Sequence, residues 1–374
     1  MSVRTPERPR APSVGSDVRF VRLVRSVLFV ALAPWSHGTG ADFRIYVSNE
    51  RSGDVSVCDG ATLAPLFTLP VGQRPRGLYL SPDGRWLFVA TSGSPRQGPG
   101  ADPEHARSPQ ADKSADGLAV IDLQENRVVR RLAVGSDPEE FAFSRDGRHV
   151  IVANEDIAAV SIWDVQSGER LARSPVSEEP EGVSLHPTRD EAWIACEEEG
   201  DVFIVSVPNG QPRRHLRLGG RPRTIRFDRD GTFAYVPLET GAAIAMVETN
   251  PLQLVGKIPL PPPALPMASA LSPDGHELYV STGRGNQVVV IDLTKREVIA
   301  SIPVGARSWG LGLSPDGSRL FTANGASNDV SVIDVRERRE LQRVPAGAGP
   351  WGIAIGPSSG ANSSAPHARE FQPN

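Results

Sequence analysis

A chain of 374 residues with a formal net charge of −4 and 39% hydrophobic residues is long enough for one large domain with its own core. Its acid excess disfavours nucleic acid as a partner, because binding there rests on basic residues that displace phosphate counterions. Two cysteines, with no Cys-x-x-Cys-His and no paired Cys-x-x-Cys, exclude a disulfide framework, c-type haem attachment and a zinc ribbon.

Residues 1–41 stand apart from the rest of the chain. They hold six Arg, then the apolar run VLFVALAPW (27–35), then the small residues SHGTGA (36–41). These are the parts of a secretory signal in the right order, so the expectation is export to the periplasm with cleavage after Ala41. A retained anchor and a disordered basic arm are the alternatives. The apolar run is too short to span a bilayer, and no membrane span is expected in the mature chain. Without residues 1–41 the formal charge becomes −8.

From residue 44 onward one unit recurs. It has an apolar strand, a Ser-Pro-Asp-Gly-like turn, a strand resembling Tyr-Val-x-Asn, a Val-x-Val-Ile-Asp-like strand, and a short strand ending near Val-Gly. The clearest copies are 271–305 and 313–347; weaker ones begin at residues 80 and 143. The turn position recurs at Asp146, Thr188, Asp230, Asp274 and Asp316, in steps of 42, 42, 44 and 42. From Asp83 to Asp146 the step is 63, because 91–117 inserts a Pro-, Gly- and Ser-rich surface loop. β-branched runs such as VSVCD (55–59) and VVVID (288–292), bounded by Gly, Asn and Asp, predict strands. No amphipathic helix is evident beyond the N-terminal segment.

A period of about 40–45 residues with four short strands predicts an all-β, seven-bladed β-propeller of four-stranded antiparallel blades over 42–357. The repeat begins mid-unit at RIYVSN (44–49) and ends on a lone first strand, GPWGIAIGP (349–357). The C-terminal strand is therefore predicted to complete the first blade and hide the open edges. The tail 358–374 has no strand pattern and is expected to be disordered.

The turns with Asp83, Asp146, Asp274 and Asp316 should lie on one face. The inter-blade loops and the loops joining second and third strands should share the other. That second face is where the units differ chemically. Arg74, Arg76, Arg307, Trp309 and Trp351 come from three neighbouring blades. Asp137, Glu139, Glu140, Glu179 and Glu181 come from two consecutive blades, with Glu155, Asp156 and Glu197–Glu199 beside them. Arg221 and Arg223 follow. One reading is a charged face that orients a ligand or partner, with Trp309 and Trp351 as an aromatic platform near Arg307. The other is solvated loop residues, or salt bridges across the channel. No His falls in these loops, which disfavours a His general base or a His-rich metal site. Glu139, Glu140, Glu179 and Glu181 lack diagnostic cation-site spacing, and no metal or cofactor is expected. Cys58 and Cys196 are far apart in the repeat and read as buried filler.

Residues 44–357 resemble the YVTN family of β-propeller repeats, through YVSN (46–49) and YVST (279–282). The Asp-Pro-Glu loop at 137–139, Glu-Pro-Glu-Gly at 179–182, Arg-Pro-Arg at 221–223 and Asn-Glu-Asp at 154–156 are similar to propellers associated with PQQ-dependent alcohol catabolism. The chain departs from them in PPPALP (261–266), the 91–117 insertion and the lost Asp-Gly turn at 188–190. The resemblance implies a non-catalytic periplasmic binding propeller whose partner is a quinoprotein dehydrogenase, a c-type cytochrome or an ABC-type transporter component. The alternative is a lactonase-type hydrolase acting on a sugar lactone. It would use Glu139 or Glu181 to hold a water and Arg74 or Arg221 to stabilise an oxyanion. Direct PQQ or haem binding on Trp309 or Trp351 would lack iron ligands from the channel loops.

Overall fold

The computed structural model describes residues 42–95 and 111–358. The N-terminal segment, most of the 91–117 insertion and nearly all of the C-terminal tail lie outside the described residues. Among those described, twenty-eight strands form seven separate four-stranded antiparallel sheets. Two short 3-10 turns, Lys113–Ala115 and Glu155–Ile157, are the remaining regular structure. No described helix is long and apolar enough to cross a membrane.

Each sheet is one blade of a propeller. Blade one is built from Pro350–Pro357, Phe43–Asn49, Asp54–Asp59 and Pro65–Pro70, in that order from the axis outward. Its inner strand comes from the far end of the chain, with Ile45 opposite Ile355 and Tyr46 opposite Ala354. This is the predicted ring closure. The other inner strands are Leu78–Leu80, Pro138–Phe143, Pro180–Leu185, Arg226–Phe227, Ser269–Leu271 and Ser308–Leu313, in blades two to seven.

The core lies between blades, because strand side chains alternate between the two faces and each face meets a neighbour. There are seven buried clusters, one for each blade interface. Tyr46, Val55 and Val57 of blade one pack on Leu87, Val89 and Ile121 of blade two. At the closing interface, Ile45 and Val47 meet Phe321, Ala323 and Val332 of blade seven. Cys58 and Cys196 are buried in two different clusters and are free. Burial pushes the Cys196 thiol up to about 12, so it stays protonated and inert.

The repeated sequence letters have identifiable work. The Asn that ends a second strand is fully buried and ties that strand to its neighbour. Asn49 donates through Nδ2 to Asp54 (2.7 Å) and Ser56 (2.9 Å), and Asn324 does the same to Asp329 and Ser331. Asn154 donates to the Val134 (3.0 Å) and Ser136 (3.2 Å) carbonyls and accepts from Ser161. In the Ser-Pro-Asp-Gly turns, the Asp146 carboxylate accepts from Ser144 Oγ (2.6 Å) and the Arg148 amide (3.1 Å), and Gly147 takes the left-handed φ of 71°. Blade four lacks that Asp-Gly pair, and His186 does its work. Its Nδ1 accepts from the Thr188 (3.2 Å) and Arg189 (3.1 Å) amides, while Nε2 lies 2.9 Å from the Gly231 carbonyl. That pattern requires a neutral ring protonated on Nε2, in keeping with a pKa lowered mainly by burial.

Asn154→Ala removes the amide that bonds the Val134 and Ser136 carbonyls and accepts from Ser161, leaving the Ser161 hydroxyl only its longer bond to the Val134 carbonyl (3.3 Å). It is expected to destabilise the chain by about 1–3 kcal/mol, read as a lower urea midpoint with unchanged m-value. A midpoint equal to wild type would remove this account of the Asn position.

Candidate functional site: the mouth and interior of the central channel

Aligning the blades on their inner strands places seven side chains around the channel mouth: Arg76, Glu139, Glu181, Arg223, Met267, Trp309 and Trp351. Four consecutive blades supply charge and three supply apolar bulk. One residue earlier comes Pro or Ser, and before that a rim residue that turns the chain into the strand. At five rim positions this residue is non-glycine with left-handed backbone: Arg74 (φ 43°), Asp137 (42°), Glu179 (51°), Arg221 (58°) and Arg307 (61°). Blade one has Gly349 there, at φ 70°. Charged side chains held in a region that favours glycine, four of them just before proline, concentrate backbone strain at the mouth. A third layer follows the second strands, where Glu50, Glu155, Glu197 and Glu239 project toward the same mouth.

The charges of these layers meet one another. Around blades one to three, Glu50 lies 3.3 Å from Arg74 and 3.4 Å from Arg76. Arg76 is also in contact with Glu139 and lies 3.6 Å from Glu155, and Arg74 reaches Asp137 at 4.0 Å. Around blades four and five, Arg223 lies 2.6 Å from Glu181, contacts Glu197, and is 3.6 Å from Glu239. Arg221 contacts Glu197 and lies 3.5 Å from both Glu179 and Glu239. Ion pairs within blades and between neighbouring blades thus describe the geometry. Arg76, Glu139 and Arg223 are each under 10% exposed, so each needs its partner. Burial draws the Arg223 guanidinium down to about 10 and lifts Glu179. Burial also lifts Asp137 to about 6, with Arg76 and the Ser92 hydroxyl acting against it and Glu155 and Asp156 acting with it.

The stubs of the 91–117 insertion reach this face. Ser92 donates to Asp137, and Lys113 bonds Ser94 (2.7 Å) and Asp156. Opposite, the Trp309 and Trp351 rings stack with centroids 5.6 Å apart and planes at 22°. The guanidiniums of Arg307 and Arg223 each lie 5.2 Å from the Trp309 ring. The predicted platform near Arg307 is present in that form, with Arg223 reaching it from two blades away. The inner strands run close here: a Cβ on Gly310 would sit 2.8 Å from the Trp351 carbonyl oxygen.

Beneath the mouth is a cavity of about 270 Å³ lined by all seven inner strands. It holds Glu140 of blade three, Tyr79 of blade two and Arg226 of blade five. The Tyr79 hydroxyl donates to Glu140 Oε2, and the Tyr79 ring packs edge-on against Phe141 (5.1 Å). Arg226 opens into the channel and donates through Nε to the Ser269 carbonyl (3.1 Å). Burial raises the Glu140 carboxyl to about 7, despite the Tyr79 hydrogen bond and the Arg226 charge. A carboxyl poised near neutrality in a cavity has the protonation balance of a general acid–base group.

One expectation needs correction, that Glu139 or Glu181 is the carboxyl that would hold a water. Glu139 and Glu181 are engaged by Arg76 and Arg223 at the mouth, whereas Glu140 accepts from Tyr79 inside the cavity and is paired with neither of them. The group Glu139, Glu140, Glu179 and Glu181 does not converge as a cation site, because Glu140 faces Tyr79 below and Glu181 turns to Arg223. Asp137, Glu139 and Glu155 do place oxygens within 4.8 Å of one another, but Arg76 already engages Glu139 and Glu155. Sequence reasoning missed Glu50, Glu239, Tyr79 and Arg226. The signal was there: Tyr79 and Arg226 share an aligned column with Ala142, Ser184, Ala270, Gly312 and Ala354.

Residues 205–354 match the family described as lactonase, 7-bladed beta-propeller. The match covers less than half of the chain. Among curated proteins, a dihydro-heme d1 dehydrogenase of Pseudomonas aeruginosa is 22% identical over 305 residues, which is 71% of this chain and 62% of that protein. A 6-phosphogluconolactonase of Sodalis glossinidius is 27% identical over 168 residues, 40% of this chain and 44% of that one. The chain thus spans about half the length of the curated relatives it matches. Among solved structures, the periplasmic gluconolactonase of Pseudomonas aeruginosa superposes with a TM-score of 0.66 at 20% identity, covering 84% of this chain and 99% of that one. At that identity the likeness is one of fold. The family match carries the seven-bladed architecture expected from the repeats; it and the two gluconolactonase relatives carry a lactonase description, the dehydrogenase does not, and none of the four carries the narrower PQQ-associated one.

The Glu140 shift has a stability consequence. Its carboxyl titrates near 7 when folded against an ordinary 4.5, so between those values the folded chain binds more protons than the unfolded one. Stability therefore falls as pH rises through that window, by up to about 3 kcal/mol at ~1.4 kcal/mol per pH unit. Glu140→Gln, which cannot ionise, is expected to unfold at a higher urea concentration than wild type at pH 8 and at a similar one at pH 5. A difference independent of pH would contradict the shift.

Proposed function

We propose that this propeller is a lactone hydrolase of the lactonase type, working in the central channel with Glu140 as general base. The observation that carries the reading is Glu140 itself: a buried carboxyl poised near neutrality, held by Tyr79 in a cavity that Arg226 also lines. The lactonase match over 205–354, which includes Arg226 of the Arg226–Phe227 strand, supports it.

The chemistry follows from these groups. The Glu140 carboxylate takes a proton from water as the water oxygen attacks the lactone carbonyl carbon. The carbonyl oxygen gains negative charge, and the Arg226 guanidinium is the cation placed to stabilise it. Collapse breaks the bond between the carbonyl carbon and the ring oxygen, which takes the proton back from Glu140. The product is the open hydroxy acid. Tyr79 is a positioning residue that orients Glu140 through its hydroxyl. The cavity is close to the lower end of small-molecule sites, in keeping with a single ring. A periplasmic location belongs to the same reading, from the N-terminal segment and the periplasmic gluconolactonase of like fold.

The test is turnover of a lactone panel by the full chain. Glu140→Gln is expected to lower kcat/KM by about 10²–10⁴-fold. Wild-type kcat/KM should rise with pH around 7, because the ionised carboxyl is the active form. Equal activity in wild type and Glu140→Gln would end the assignment. Absent turnover, together with retention of a quinoprotein dehydrogenase, c-type cytochrome or transporter component, would favour the docking reading instead.

A further inference from the structure

The three charged layers of the mouth are not balanced. Together they hold eight carboxylates, four of them the second-strand residues Glu50, Glu155, Glu197 and Glu239, against five guanidiniums. The excess is formally three negative charges around the entrance to a cavity only about 270 Å³ in volume. Two carboxyls of these layers, Asp137 and Glu179, are lifted by burial; the nearest guanidiniums, Arg76 and Arg221, act against the lift and the Glu155 carboxylate acts with it. Over the remaining arc the mouth side chains are apolar or aromatic, Met267, Trp309 and Trp351, with the Arg307 guanidinium of the rim 5.2 Å from the Trp309 ring. Low-dielectric walls lined by one excess charge focus the field on whatever enters.

We infer that the substrate of this channel is an uncharged sugar lactone, and that the mouth discriminates against lactones bearing phosphate. This rests on the lactone-hydrolase reading. A neutral sugar ring passes the carboxylate layers without Coulombic opposition. Its hydroxyls can bond the paired carboxylates and guanidiniums, and its C–H face can lie on the exposed edge of the tryptophan pair. A phosphate dianion meets the excess carboxylates before it can reach Arg226, and brings no group that satisfies them. The same chemistry separates this channel from one built for phosphorylated sugars, where the excess would have to be cationic.

The experiment compares glucono-1,5-lactone with its 6-phosphate on the full chain, at about 20 mM and about 300 mM salt, between which the screening length falls from about 20 Å to about 6 Å. The expected result is a kcat/KM at least ~10-fold higher for the neutral lactone at low salt, changing less than about twofold with salt. The phosphate ester should be hydrolysed faster as salt is added. Glu198→Lys, on the exposed loop beside the mouth and outside the three layers, should raise kcat/KM for the phosphate ester about 3–10-fold and leave the neutral lactone unchanged. A phosphate ester that is the better substrate, with a rate that falls as salt rises, overturns the inference and leaves the hydrolase reading standing. Failure of wild type to exceed Glu140→Gln on either lactone overturns both.

Discussion

The pairing of Pro350–Pro357 with Phe43–Asn49 is the constraint on which the rest hangs. A blade alone has two bare faces and two open edges, and an open row of blades would leave apolar faces such as that of Ile45 and Val47 in water. Once residues some three hundred apart in the chain join in one sheet, every blade gains a neighbour on both sides and the seven inner strands share an axis. The channel is a product of that closure. Side chains that are strangers in sequence, Arg76 and Glu139 or Arg223 and Trp309, become neighbours because the ring brings successive inner strands to one mouth.

That convergence imposes an electrostatic demand. Guanidiniums packed at the top of a ring of apolar strands lose hydration, and carboxylates from the same and adjacent blades restore what water would have given. The second strands supply many of these carboxylates, so the mouth is braced from two layers of each blade. Glu140 is treated differently. One position below Glu139, it accepts a hydrogen bond from the Tyr79 phenol, and burial lifts its carboxyl to about 7 although the Arg226 charge acts against the lift. Glu139 and Glu140, one residue apart on the same strand, thus sit in different surroundings, one against the Arg76 guanidinium and the other against a phenol in the cavity.

The architecture was legible from the chain alone. The spacing of Asp146, Thr188, Asp230, Asp274 and Asp316 gave the blade period, and the lone strand at 349–357 gave the closure, because both are local patterns repeated. The mouth was legible in outline: the Arg-Pro-Arg and Glu-Pro-Glu loops and the two tryptophans were singled out, since they break the repeat where the repeat is otherwise regular. Their pairing was not legible, because which guanidinium meets which carboxylate depends on the twist and tilt of neighbouring blades. Tyr79 and Arg226 were overlooked for another reason. They sit inside strands, where a polar residue passes as ordinary alternation until the blades are set side by side. His186 shows the converse. The sequence lost a turn motif at 188–190, yet an imidazole two residues before it caps other amides of the same turn.

The tryptophan stack has a consequence beyond binding. Two indoles with centroids 5.6 Å apart and nearly parallel planes share their excited states, and cations 5.2 Å from one ring perturb those states further. Such a pair gives an exciton couplet in circular dichroism whose sign and size depend on the angle between the rings. The stack stands at the entrance to the cavity, on the two strands where the last blade meets the first. The protein therefore carries its own optical gauge of ring geometry, readable without any label, at the one seam where the two ends of the propeller join.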